Sequence, residues 1–382
     1  MAIINGTNAN DILNGLGSND SLYGLQGDDV LHISNSSGKN LLDGGSDNDK
    51  LYATATTGNN TLKGGSGDDY LDVSNSSGKN LLDGGSESDQ IYATATTGNN
   101  ILKGGSENDY LDVSSSFGNN TLCGDTGNDE FSIQDSFGKN IVLGGTGSDK
   151  FYAYGVSGAN TLNGGDGDDS FYFRAPSTSP SFLVTQKVDG GMGSDYLEVN
   201  YSSDTTEGIT STFNVTTNQG SITAGTNRVR YKNVEQLNIS GTTYADKIVG
   251  GNNGDVLYGY NGNDILTGGR GNDALYGGDG TDTFAFNNYN EGIDSLNDFN
   301  TTGEVIQVSA AGFGGSLTVG TLSASQFTIG SGATAIAQRF IYDNITGALS
   351  FDQDGSAGAF TQVQFAQLSS GLSLSATNFV VV

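Results

Sequence analysis

From Leu31 onward the chain repeats itself: each segment of twenty returns in the next, and more closely in the one after that. LHISNSSGKNLLDGGSDNDK (31–50) and LYATATTGNNTLKGGSGDDY (51–70) are echoed by residues 71–110, with 31 of 40 positions identical. Looser copies continue to residue 170. So short a unit buries too little to fold alone and must stack on its neighbours. Three apolar columns run through the stack. Leu42, Leu62, Leu82, Leu102, Leu122, Val142 and Leu162 form the first; Leu51, Leu71, Ile91, Leu111, Phe131 and Phe151 the second. Ala53, Val73, Ala93, Val113, Ile133 and Ala153 follow two residues after the second, a spacing that places both on one strand face. The pattern predicts an all-β, right-handed parallel solenoid of short strands, each coil rising about 4.8 Å.

The two edges of such a solenoid differ. One carries a GGxGxD turn, with Asp29, Asp49, Asp69, Asp89, Asp109, Asp129, Asp149 and Asp169 at its sixth position. The other carries Gly38, Gly58, Gly78 and their equivalents. Two residues later come Asn40, Asn60, Asn80, Asn100, Asn120, Asn140 and Asn160. Stacked asparagines can hydrogen-bond along the axis, so this edge reads as structural. Shorter units of nine flank the block: NGTNANDIL, NGLGSNDSL and YGLQGDDVL contribute Asp11 and Asp20. A second block from GTTYADKIV to GGDGTDTFA (241–285) contributes Asp246, Asp255, Asp264, Asp273 and Asp282. Two units of nine make one coil, which puts acidic turns on both edges there. The chain thus divides into a solenoid over 1–170, irregular coils over 171–240, a second roll over 241–285 and a β cap over 286–382.

Composition narrows the partners. There are 43 acids and 15 bases, a net charge of −28. Such a chain repels nucleic acid and anionic membranes and attracts cations. Cys123 is the only cysteine and His32 the only histidine, fewer than zinc hydrolases and His-based triads ordinarily use. The start, MAIINGTNAND, has no basic region followed by an apolar run, so no Sec-type signal is expected. No stretch reaches about 18 apolar residues, so no membrane-spanning helix is expected.

The units resemble the RTX, or hemolysin-type, calcium-binding repeat GGxGxDxUx, in which U is a large apolar residue. The resemblance implies a calcium-binding β-roll, with carbonyls of the GGxG segment and the sixth-position aspartate as ligands. Carried onto this chain, the ligating turns begin at Gly44, Gly64, Gly84, Gly104, Gly144, Gly164, Gly250, Gly259, Gly268 and Gly277, and the aspartates named above are joined by Asp195 of GGMGSD. Calcium takes six to eight oxygens at about 2.3–2.6 Å, and glycines supply the positive φ that curls the turn. Turns about 4.8 Å apart can share an ion. The gaps between successive aspartates set a ceiling of about eleven Ca2+ ions. Asp68, in the variable fifth position, is expected to face solvent. The pattern is weakest where Glu87 and Glu107 replace the fourth-position glycine, because glutamate suits a left-handed conformation poorly. GTNAND and GTTYAD keep little beyond the aspartate. Occupancy near Asp89, Asp109, Asp11 and Asp246 is therefore in question.

DTFAFNNYNEGIDSLNDFN is similar to the cap after RTX rolls, and the tail from Arg339 is similar to the C-terminal region of type I secretion substrates. Residues 355–382 carry no charge and end on NFVVV. The resemblance implies export by type I secretion machinery, an extracellular or cell-surface location, and folding on external calcium. With no HExxH and no GxSxG in a hydrolase-like setting, a non-catalytic structural or adhesive role is expected, with surface glycans or matrix as partners. Two alternatives stand beside it. One is a polysaccharide-modifying enzyme using the charges Arg174, Lys187, Glu198, Arg228, Arg230, Lys232 and Glu235. The other is a carbohydrate- or ice-binding surface built on ATATT (53–57 and 93–97) and the outward Tyr52, Tyr92, Tyr152 and Tyr172.

Overall fold

The computed structural model describes residues 2–177, 180–203 and 206–382. Its contacts separate two units: the chain up to Glu198 with Thr226–Val234, and Val199–Gly225 with Glu235–Val382.

In the first unit each coil has a long strand, the acidic turn, a short strand and the Gly/Asn turn. Leu41–Ser46 and Lys50–Tyr52 make one coil; Thr61–Ser66 and Tyr70–Asp72 make the next. Each strand pairs in parallel with its equivalent in the following coil, Leu42 opposite Leu62 and Leu51 opposite Leu71. The long strands therefore form one sheet and the short strands another. Their inward residues are the predicted columns, all fully buried or nearly so. The second turn glycine lets adjacent coils approach. Gly65 has φ of 120°, and a Cβ there would strike the Gly45 carbonyl. On the outer face of the long-strand sheet, Asp43, Lys63, Asp83 and Lys103 stand opposite one another in register, alternating in charge. Opposite charges directly across a sheet stabilise the pairing by about 0.2–1 kcal/mol.

The Gly/Asn edge is the amide ladder expected from the sequence. Asn60 Nδ2 donates to Thr56 Oγ1 (2.8 Å), Gly58 O (3.2 Å) and Asn80 Oδ1 (3.0 Å), and Asn60 N also donates to Asn80 Oδ1 (2.9 Å). The pattern recurs at Asn80, Asn100 and Asn120. Gln186 continues it beyond Asn160.

In the second unit, units of nine alternate between two sheets. Lys247–Val249, Ile265–Thr267, Thr283–Phe286 and Val305–Val308 follow one another in one; Gln236–Ser240, Val256–Gly262, Ala274–Gly280 and Asp294–Leu296 in the other. The cap completes both. Phe379–Val381 pairs with Val305–Val308, and Val363–Gln367 pairs with Asp294–Leu296. Its interior is an aromatic cluster in which Phe313, Phe340, Phe351, Phe365 and Phe379 are linked by ring contacts of 5.0–6.2 Å.

Truncating Leu82, fully buried in mid-stack, should destabilise the folded protein by about 2–5 kcal/mol. Truncating Leu16, 84% exposed, should change it by no more than about 0.5 kcal/mol. Denaturant unfolding of L82A and L16A checks both.

Candidate metal-binding turns

The acidic edge is also a ladder. Asp49 N donates to Asp69 Oδ1 (2.8 Å), Asp69 N to Asp89 Oδ1 (2.9 Å) and Asp89 N to Asp109 Oδ1 (2.8 Å). The same bond joins Asp11 to Asp29, Asp29 to Asp49, Asp109 to Asp129, Asp129 to Asp149, Asp149 to Asp169 and Asp169 to Asp195, all at 2.7–2.9 Å. One carboxylate oxygen of every residue after Asp11 is thereby used, and the carboxylate is aimed along the axis.

The other oxygen is the informative one. Among the described residues, Oδ2 of Asp29, Asp49, Asp69, Asp89, Asp109, Asp129, Asp149 and Asp169 is buried and accepts no hydrogen bond. It lies over the first glycine of its own turn. A Cβ at Gly64 would meet Asp69 Oδ2 and, at 2.6 Å, the Gly84 carbonyl of the next coil; one at Gly124 would meet Asp129 Oδ2 and Gly144 O, also at 2.6 Å. A Cβ at Gly44, Gly84, Gly104, Gly144 or Gly164 would likewise meet Oδ2 of Asp49, Asp89, Asp109, Asp149 or Asp169. A carboxylate oxygen shielded from water, without a donor and beside a carbonyl oxygen, is costly. A cation answers that arrangement, and the all-oxygen set of carboxylate plus backbone carbonyl suits calcium. Among the described residues no three acidic, His or Cys side chains converge on one point. Each turn would thus offer one carboxylate and several carbonyls, and neighbouring turns would complete the ligand set.

The second unit repeats this in two columns. Asp246 N donates to Asp264 Oδ1 (2.8 Å) and Asp264 N to Asp282 Oδ1 (2.9 Å); Asp255 N donates to Asp273 Oδ1 (2.8 Å). Oδ2 of Asp264, Asp273 and Asp282 is buried without a partner. It would collide with a Cβ at Gly259, Gly268 or Gly277, and Asp255 Oδ2 with one at Gly250.

Several positions differ from the sequence-based expectations. Asp20 does not belong to the acidic column: its N donates to Asn40 Oδ1 (3.0 Å), so it heads the asparagine ladder. Its carboxylate accepts from Ala2, Leu16 and Gly17 N. The heads of the acidic columns are also tied to protein donors. Thr7 N and Oγ1 donate to Asp11 Oδ2, Thr242 N to Asp246 Oδ2, and Gly251 N to Asp255 Oδ2. At the degenerate turns of Asp11 and Asp246 the protein itself thus supplies hydrogens to the carboxylate. Glu87 and Glu107 do not distort their turns. They take φ of 72° and 73°, and Glu87 Oε2 accepts from Gly67 N (2.9 Å). Asp89 and Asp109 keep the geometry of the other coils. Asp68 is exposed, as expected, yet it is bonded: Ser88 N donates to its Oδ1 (3.1 Å), one step of an outer ladder running opposite to the inner one.

Repeat spacing misses two buried acids. Asp294 stands beyond Asp273, whose N donates to Asp294 Oδ1 (3.2 Å). Glu304 stands beyond Asp282 in register and accepts from Asn300 N (2.7 Å). Their signal is an acid two residues before Leu296 and Ile306. It is hidden because the steps from Asp273 to Asp294 and from Asp282 to Glu304 are longer than those from Asp255 to Asp273 and from Asp264 to Asp282.

Burial pushes these carboxyls well above the usual aspartate range, and neighbouring carboxylates add to the shift. Asp49, Asp69, Asp109, Asp149, Asp169, Asp255 and Asp264 rise to about 7, Asp129 to about 6 and Asp89 to about 8. Glu304 rises to about 7, and the touching pair Asp273 and Asp294 are both raised by burial. In the unfolded chain these groups ionise near about 4. Without calcium, the proton therefore favours the fold, and this stability is lost as pH rises from about 4 through about 7. Chelated protein should show more β structure by circular dichroism at about pH 5 than at about pH 8. Calcium-loaded protein should show the reverse, because protons compete for the same oxygens.

The fold and turns define a calcium-binding parallel β-roll, and the comparisons identify its family. The model for the RTX calcium-binding nonapeptide repeat (4 copies) matches residues 3–32, 36–56, 52–76, 74–111, 94–131, 154–172, 238–265 and 249–284, just over half of the chain. The chain belongs to the RTX calcium-binding repeat family. A comparison with curated proteins finds no match. Among solved structures, the chain is similar to the extracellular lipase LipA from Serratia marcescens at 17% identity and a TM-score of 0.21. That match covers 79% of this chain and 41% of the lipase, so the chain spans about two fifths of the lipase's length.

Proposed function

We propose that this protein is a secreted, non-catalytic scaffold that folds when it meets external calcium, with Asp29 to Asp169, Asp195, Asp264, Asp273 and Asp282 as ligands. The observation that carries the proposal is the column of buried, unpartnered Oδ2 atoms. Without a cation, every coil adds a carboxylate to a self-repelling line. With one, the same line becomes a cross-link between coils, so binding and folding are coupled. Affinities of about 10⁻⁴–10⁻³ M are usual for extracellular calcium modules. A chain tuned in this way would stay open inside the cell, fit for threading through a type I channel, and close outside.

The tail supports that order of events. Phe379 and Val381 are buried in a cap strand, so a terminal export signal there would be readable only before folding. Several charges of the enzyme alternative are engaged structurally. Lys232 pairs with Asp189 at 2.6 Å, and Arg174 lies 4.5 Å over the Tyr154 ring. The outward tyrosines pack on one another, Tyr70 on Tyr92 at 5.1 Å and Tyr152 on Tyr172 at 5.2 Å, which favours cross-strand packing over sugar stacking.

Adding millimolar calcium to chelated protein should produce a large gain of β signal in circular dichroism. Equal β content in excess chelator would overturn the coupling. The variant D69N should bind fewer ions by calorimetry and need more calcium to fold, because its amide supplies hydrogens where the cation is needed. Deleting residues 340–382 should abolish export while leaving expression intact.

A further inference from the structure

We propose that the first unit binds a linear acidic polysaccharide with one carboxylate per disaccharide, in a groove along its asparagine edge. This goes beyond the calcium reading and uses none of the calcium-binding turns. The groove, about 820 Å³, follows the axis across successive coils. Its floor is Leu41, Thr61, Leu81 and Ile101, the outward ends of four paired long strands. Its rim alternates Lys39, Asn59, Lys79 and Asn99, and Lys63 also lines it.

Charge selects the ligand. The protein carries −28, yet no acid lines this concavity. Lys39 and Lys79 are exposed, and among the described residues neither ammonium group is paired with a carboxylate. They stand two coils apart, about 9.6 Å at the parallel-strand spacing. Lys63 lies between Asp43 and Asp83, so it adds little net charge. Nucleic acid fits this pattern poorly: its phosphates recur every ~3.4 Å along a strand, and Asp43, Asp83 and the overall charge would repel most of them. A sugar chain with a carboxylate on every second ring matches the lysine repeat. The asparagines suit the rings between. Asn59 and Asn99 use Oδ1 to accept from Lys79 N and Asn119 N, each at 2.8 Å, which leaves their NH2 groups for sugar hydroxyls. The aliphatic floor suits the C–H faces of the rings.

The test is calorimetry of the full-length, calcium-loaded protein with hyaluronan oligosaccharides at low ionic strength. Binding is expected, and it should weaken as salt is raised, because the lysine–carboxylate pairs are exposed and therefore screened. The double variant K39Q/K79Q should bind at least about tenfold more weakly with an unchanged melting temperature. K139Q, in the same column but outside the groove, should bind like wild type. Absence of binding by the wild-type protein would overturn the proposal. So would unchanged affinity in the double variant, or equal binding of a neutral dextran. Equal binding of single-stranded DNA of similar length would also overturn it, by showing a non-specific polyanion site.

Discussion

The structure depends on a buried acceptor that has no donor. Once per coil, an aspartate is locked by a backbone N–H on one oxygen while its other oxygen faces inward against a glycine. Everything nearby follows from that oxygen. The first glycine of each turn has to lack a side chain because the carboxylate occupies its Cβ position. The carboxyls hold their protons toward neutrality because burial disfavours their charge. The apolar columns are thin, one or two side chains per strand, so the stack has little hydrophobic surplus with which to bury uncompensated charge.

The asparagine edge shows the same geometry made self-sufficient. Asparagine and aspartate both receive the backbone N–H of a neighbouring coil on Oδ1. They differ at the second terminal atom. The amide nitrogen brings two hydrogens, which it gives to a hydroxyl or carbonyl of its own turn and to the next amide. The carboxylate oxygen brings none. One edge is therefore satisfied by the polypeptide alone, and the other is completed by its surroundings. The column heads Asp11, Asp20, Asp246 and Asp255 are intermediate: they are aspartates supplied with backbone or hydroxyl hydrogens from their own turns.

Most of the fold is legible in the sequence because solenoid geometry is periodic. A residue that recurs once per coil has to lie in an axial column, and the alternation within Leu51-Tyr52-Ala53 marks which side is inside. The same logic fails where the period changes. Asp294 and Glu304 continue two acidic columns, but intervening loops lengthen their coils, so a fixed spacing does not reach them. Asp20 misleads because its unit of nine reads GLGSND, a good acidic turn, while its partner in the next coil is Asn40. The bonding of Asp68 is also hidden, because a side chain can face water and still bridge coils. The tolerance of Glu87 for positive φ comes from tertiary context: it finds the Gly67 N–H of the coil before it.

The alternation of Asp43, Lys63, Asp83 and Lys103 has a consequence for how such a chain can change length. Successive coils are nearly interchangeable in their cores, so shape alone would allow one to be dropped or looped out. Dropping one coil would set Asp43 against Asp83, like facing like. Dropping two would set Asp43 against Lys103 and leave the pattern intact. A change of two coils therefore keeps the charge register that a change of one would break, so the surface charges act as a parity check on the count.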